Sequence, residues 1–251
     1  MVTKAQTIHK TSPVVTVALG RTLTAGAIMG AMLKNETDLL TINIKATGPI
    51  GGIVVTSNRI AQTKGYVHNN TIPHIKNQKQ NVANIVGGGI LTVTKDIALK
   101  EPISGQTPLV SGEIAEDITY YYAKSEQIPS CVALGVLVNG TVITSGGFIL
   151  QLLPHAKEDL ITHIEKTIQT LPQITTMLAQ NHDIVTTLFP CHKIHEHSSI
   201  EPTYHCDCTR EKTKKALMSI TKKELHTIIK EDGFINVHCH FCKKDYRFDS
   251  I

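Results

Sequence analysis

Four cysteines in the last fifth of the chain form two tight pairs, Cys206-Asp207-Cys208 and Cys239-His240-Phe241-Cys242, with thirty residues between them. Four thiolates on two short turns can close a tetrahedral shell around zinc. The same sulfurs are close enough in sequence to oxidise in pairs. One constellation therefore supports two chemistries, a structural metal site and a thiol switch, and spacing alone favours the structural clasp. His205, His238 and His240 stand nearby as competing ligands, but a full sulfur set needs none of them. A catalytic zinc keeps an open position, generally with His or carboxylate ligands; here all four positions are filled. Free thiols without metal would sit exposed in a very small domain.

Other candidates carry less. Cys131 lies in an apolar run and reads as a small buried hydrophobe. Cys191 reads as a bystander thiol in a connecting segment, and His192, His195 and His197 as exposed loop residues. Gly87-Gly88-Gly89 and Gly146-Gly147 lack the Lys-Ser/Thr that follows a phosphate loop and do not fit dinucleotide spacing, so they read as bends between strands. No nucleophile has an evident base, which argues against an enzyme.

The elements that must position the cysteines fall into three parts. The chain has 251 residues, enough for one large domain and a small one. Residues 1–154 read as an α+β domain. Leu40, Ile42, Ile44 and Ala46 alternate like a half-buried strand, and Ile53-Val54-Val55 and Leu91-Thr92-Val93 read as two more. Val136 to Ile143 reads as a hairpin in which Asn139-Gly140 makes a type I′ turn. Helices are expected over roughly Thr16 to Lys34 and Ser111 to Glu126. Residues 155–203 read as a helical connector, with helices over His155 to Thr170 and about Ile174 to Leu188 and a loose end of low local stability. Residues 204–251 form a zinc-binding tail. There Thr221-Lys222-Lys223-Glu224 is a capping box, Gly233 is placed to end the helix, and a shorter helix fills 210–219. So few residues make a weak core, and a structural zinc contributes about 10–16 kcal/mol to small domains.

Composition bounds the function. The hydrophobic fraction is 41% and the charged fraction 18%, values of a folded soluble protein. The N-terminus has no long apolar stretch after its lysines, and runs such as Cys131 to Val138 are too short to span a bilayer. A cytoplasmic location is expected, in which cysteines serve metal or redox roles rather than a constitutive disulfide framework. From Tyr204 onward, ten Lys/Arg face seven Asp/Glu, a balance of +3. Four thiolates and one zinc bring this to about +1. A nucleic-acid-binding zinc ribbon, the opposing class, is usually far more basic and interleaves aromatics with its cations.

The residues together resemble the heat-shock protein 33 family of redox-regulated holdase chaperones. In the tail the resemblance rests on Cys-Asp-Cys followed by Thr209-Arg210-Glu211, then Ala216-Leu217, Glu224-Leu225, and Cys-His-Phe-Cys followed by Tyr246-Arg247-Phe248. In the large domain it rests on Leu19-Gly20-Arg21, Gly48-Pro49-Ile50-Gly51, Gly65-Tyr66-Val67, Leu91 to Asp96, Val110 to Asp117, Ser125 to Ser130 and Gly146-Gly147-Phe148. The chain departs from the pattern at His68-Asn69-Asn70 and over Ile97 to Ile103. The resemblance implies zinc held by Cys206, Cys208, Cys239 and Cys242 in the reduced, inactive state. It implies disulfides Cys206 with Cys208 and Cys239 with Cys242 on oxidation, with loss of zinc and unfolding of tail and connector. It further implies binding of unfolding client proteins without nucleotide, and a homodimer when oxidised; nucleic acid and membrane are not expected partners.

Overall fold

The computed structural model describes residues 1–73, 81–190 and 192–249, so Cys191 lies outside the described residues. It divides into two compact units, Met1–Tyr204 and His205–Ile251. Helix α1 (Val2–His9) was not foreseen. Its sequence is mostly polar, and only Val2, Ala5 and His9 are buried. Helix α2 (Pro13–Ala31) starts with Pro13 at its first position, where the missing N–H costs nothing. It is apolar on every side because it packs against both sheets of the unit. Gly26 lets the helix backbone approach one of them, since a Cβ there would meet Val55 Cγ1 at 2.6 Å. By length and composition α2 could cross a membrane, at mean hydropathy 1.4, which the sequence reading of short apolar runs overlooked; 72% of that stretch is buried inside the unit.

Strands β1 (Leu39–Ala46), β2 (Gly52–Asn58) and β3 (Gln62–Val67) form an antiparallel meander. Helix α3 (Val82–Val86) leads into β4 (Gly89–Asp96) and β5 (Ile103–Pro108), which extend the sheet beyond β1. The triple glycine does form the bend between α3 and β4, with Gly87 at φ 65°. Helix α4 (Ala115–Tyr121) begins four residues later than the sequence suggests. The preceding loop wraps around the fully buried Asp117 carboxylate, whose oxygens accept the N–H groups of Val110, Ser111, Gly112 and Ile114. This holds Ile114 at φ 67° in a γ-turn in which Ala115 N–H donates to Glu113 C=O at 2.8 Å. The helix then widens into a π-turn over Tyr122–Glu126.

A second sheet pairs β6 (Ser130–Asn139) with β7 (Thr141–Gln151). The hairpin exists, but its turn is not type I′. Gly140 alone has positive φ, Asn139 pairs across to Thr141, and a register shift between Leu137 and Val138 absorbs the mismatch. Gly146-Gly147 likewise is not a bend. Both lie inside β7, paired with Gly135 and Leu134. The missing side chains admit a helix instead: a Cβ on Gly135 would meet Ile174 Cγ2 at 2.5 Å, and one on Gly146 would meet Leu178 Cδ2 at 2.8 Å. That helix is α6.

Helices α5 (Glu158–Thr170), α6 (Ile174–Ala179) and α7 (Ile184–Leu188) follow, and a two-residue strand β8 (Thr203–Tyr204) closes the unit. The expected single helix over 174–188 is broken by Asn181 at φ 54°, after which Asp183 caps α7 by accepting the Val185 and Thr186 N–H groups. Helix α6 packs on β6 and β7. Among the described connector residues before Tyr204, only Ile164, Met177 and Leu188 are buried apolar side chains. Residues 192–203 are exposed and carry no helix. The main sheet has the order β5-β4-β1-β2-β3-β8, parallel only between β3 and β8. Unit 1 is thus an α+β core built around α2.

Candidate metal centre

The second unit is built to hold four sulfurs. Helix α8 (Arg210–Leu217) starts directly after the first cysteine pair, with Thr209 as its cap accepting the Lys212 N–H. Helix α9 (Lys222–Asp232) carries the expected capping box, Thr221 accepting from Glu224 N–H and Glu224 accepting from Thr221 N–H, and it ends at Gly233 with φ 79°. Strands β9 (Ile235–His238) and β10 (Asp245–Phe248) then pair antiparallel around the second cysteine turn. That turn is closed by Cys239 N–H to Lys244 C=O at 2.9 Å and by Lys243 N–H to Cys239 C=O at 2.8 Å, with Lys243 at φ 60°.

The core beneath is small. Leu217, Leu225, Ile235 and Phe248 are its buried members. Arg210 lies over the Phe248 ring and Arg247 over Phe234, at 4.5 and 3.9 Å from the ring centroids. These contacts cover apolar surface that four side chains cannot.

The sulfurs of Cys206, Cys208, Cys239 and Cys242 all lie within 4.8 Å of one another, and all four residues are half-buried. Two contacts cross between the pairs: Cys206 Sγ to Cys239 Sγ at 3.7 Å and Cys208 Sγ to Cys242 Sγ at 3.2 Å. A tetrahedron of sulfurs about 2.3 Å from zinc spaces them about 3.8 Å apart, so the donor set fits that ion. Among the described residues, this is the group of His, Cys, Asp and Glu side chains whose ligand atoms converge. The neighbouring histidines do not join it. His238 Nδ1 instead lies 2.8 Å from Asp245 Oδ1, and the His240 ring stands edge-on to His238.

Proton affinities differ sharply across the cluster. Burial pushes the Cys206 thiol well above its usual range, with the neighbouring cysteines adding to it. Burial likewise raises Cys242 to about 11, with a hydrogen bond to Cys208 adding to it. Burial works against Cys208 too, but hydrogen bonds from the Tyr246 hydroxyl and from the other three thiols outweigh it and bring Cys208 to about 7. Cys208 is thus far more readily ionised than Cys206 or Cys242 and sits near its midpoint at neutral pH. Four anions this close need a cation to coexist, and a bound divalent metal supplies it. Tyr246 is the supporting residue that sequence reasoning passed over. Its hydroxyl lies 3.2 Å from Cys208 Sγ and 3.0 Å from Cys208 C=O, where it fixes the turn as well as the charge. The signal was there, as Tyr246 stands four residues after Cys242 in a strand whose alternate residue Phe248 enters the core.

Cys131 lies apart on β6. It is half-buried rather than buried, and burial raises its thiol pKa. The Ser125–Ser130 segment proves to be a junction with chemistry of its own: Glu126 pairs with Lys95 at 2.7 Å and accepts from the Tyr121 hydroxyl.

An α+β body joined to a small unit with four converging sulfurs defines a thiol-rich two-unit protein. The family profile described as Hsp33 protein matches residues 1–249. A 33 kDa chaperonin of Acetivibrio thermocellus is 48% identical, covering 99% of this chain and 86% of its own length. One from Lachnoclostridium phytofermentans is 47% identical, with 99% and 87% covered. The crystal structure of the 33 kDa chaperonin (heat shock protein 33 homolog) of Thermotoga maritima superposes with a TM-score of 0.87 at 38% identity, covering 99% of this chain and 87% of that one. The chain belongs to the Hsp33 family.

Proposed function

We propose that this protein is a redox-regulated, ATP-independent holdase with no enzymatic activity, cytoplasmic, divided functionally into a core (1–154), a connector (155–203) and a switch (204–251). The observation that carries the reading is the convergence of four cysteine sulfurs within 4.8 Å in a unit whose buried core has four apolar members among the described residues. In the reduced state Cys206, Cys208, Cys239 and Cys242 hold zinc, and the metal supplies the cross-link that so small a core lacks. A peroxide-class oxidant takes two electrons from each pair, giving disulfides Cys206–Cys208 and Cys239–Cys242. The four donors are then gone and the zinc they held is lost. All four sulfurs already lie within 4.8 Å of one another, so each pair can close on its own turn, and the switch unfolds because the metal that cross-linked the two turns is lost.

The connector follows because little holds it: three buried apolar side chains among its described residues, and one short helix, α6, set on glycines of β6 and β7. Its release uncovers apolar surface that binds unfolding proteins. The oxidised form is read as a homodimer, with neither nucleotide nor nucleic acid as a partner. The test treats reduced, zinc-loaded protein with peroxide at mild heat and measures suppression of client aggregation by light scattering without nucleotide. Suppression by the oxidised protein alone, reversed by reductant with zinc, is expected. Equal suppression by the reduced protein, or none by either, rejects the reading.

A further inference from the structure

The last residue of the connector and the first of the switch form a strand on the core sheet. Thr203 and Tyr204 lie parallel to β3, opposite Gln62 and Thr63, and Thr203 N–H donates to Ala61 C=O at 3.1 Å. Backbone pairing stops there and the Tyr204 side chain continues it. Its hydroxyl donates to Gly65 C=O at 2.9 Å, and the Gly65 N–H points back at it from 3.5 Å. His9 Nε2 lies 2.9 Å from the same oxygen, and the His9 ring meets the tyrosine edge-on at 6.3 Å. Tyr204 and His9 are 4% and 2% exposed. Just before the strand, Ile200 and Pro202 line one cavity with Ala27 and Ala31 of α2 and with Ala61.

This edge has the properties of a receptor for extended chain. Recognition runs through the β3 backbone and one aromatic slot, so it asks little of the bound sequence beyond one ring. The seated strand is only two residues long, and each backbone hydrogen bond contributes about 1 kcal/mol net. The buried Tyr204 ring and its bonds to Gly65 and His9 supply most of the hold, so the occupant leaves when the chain beyond it is pulled or unfolds rather than spontaneously. A vacated edge is a template for any extended segment. Tyr204 also stands two residues before Cys206, so the event that dismantles the sulfur cluster acts on the chain that fills the slot.

We propose that the β3 edge is a client-binding site which the chain's own Thr203–Tyr204 occupies in the reduced state, and that its oxidised-state ligand is an extended segment of unfolded protein adding as a strand with an aromatic ring in the Tyr204 slot. The proposal rests on the holdase reading and names the surface through which it acts.

The test is hydrogen exchange on the full chain, with reduced, carboxymethylated α-lactalbumin as a soluble unfolded probe. Oxidation should speed exchange at the Thr63 and Gly65 amides. Adding the probe should slow it again by about tenfold or more, while Ile42 and Val93 at the sheet centre stay unchanged. A peptide of residues 198–205 should compete with the probe, and the same peptide carrying Tyr204→Ala should not. Probe binding with exchange at Thr63 and Gly65 unchanged overturns the edge site and leaves the holdase reading standing. Equal competition by both peptides, or by neither, overturns the aromatic slot. An oxidised protein that binds no probe overturns both.

Discussion

Replacing Tyr246 by Phe removes one oxygen and keeps the ring packed against the small core. That oxygen lies 3.2 Å from Cys208 Sγ and 3.0 Å from Cys208 C=O. When Cys208 is a thiolate, the first of these is a hydrogen bond to a charged acceptor, worth about 1.5–3 kcal/mol. At RT of about 0.6 kcal/mol this is a factor of about 10 to 150 in metal affinity, in line with the roughly 10- to 100-fold losses seen when residues supporting metal ligands are replaced. The assay is competition for zinc against a chromophoric chelator at pH 7.5. The variant is expected to bind zinc about 10- to 100-fold more weakly and to release it at lower peroxide, with the thermal unfolding of residues 1–204 unchanged. Affinity within twofold of the parent would show that the hydroxyl does not hold the thiolate, and the account of Cys208 would fall.

Further outcomes follow from other contacts. Zinc affinity should fall on acidification, and more steeply below pH 7. The thiols of Cys206 and Cys242 are raised and stay protonated through neutrality, so binding displaces their protons throughout, and below about 7 it must displace that of Cys208 as well; the slope of log affinity against pH is the check. Gly135→Ala places a Cβ against Ile174 at 2.5 Å and should weaken the seat of α6 by about 1–3 kcal/mol, read as faster exchange over 174–179 and as holdase activity at lower oxidant. Asp117→Ala strips the acceptor from four backbone N–H groups and should destabilise the core by about 3–5 kcal/mol in denaturant, without altering zinc content.

The parts of the structure legible in the sequence are those in which a local rule decides the outcome. The Thr221–Glu224 capping box and Gly233 fix α9 because their partners lie within one turn. Alternation fixes β1, whose buried residues Leu40, Ile42 and Ile44 are those the period selects. Four converging sulfurs were legible because metal-ligand spacing is itself local. What escaped was set by distant partners. Gly146 and Gly147 look like punctuation, yet they are strand residues that leave room for α6 and for the facing strand. The start of α4 is decided by a buried carboxylate that gathers four amides, a demand that helical periodicity does not register. The split between α6 and α7 was signalled by Asn181 and Asp183, a left-handed residue followed by a cap, but the apolar pattern ran across both. The pairing of Tyr204 with His9 and Gly65 spans 195 and 139 residues, beyond any local rule.

The most direct test of the central claim follows one sample in time. Reduced protein receives peroxide at mild heat while zinc release is read with a chromophoric chelator and client aggregation by light scattering. Zinc loss and holdase activity should rise with a common time course, and reductant with zinc should reverse both. Zinc that stays bound while activity appears, or leaves without any gain of activity, would contradict the claim and leave the four cysteines as a structural clasp.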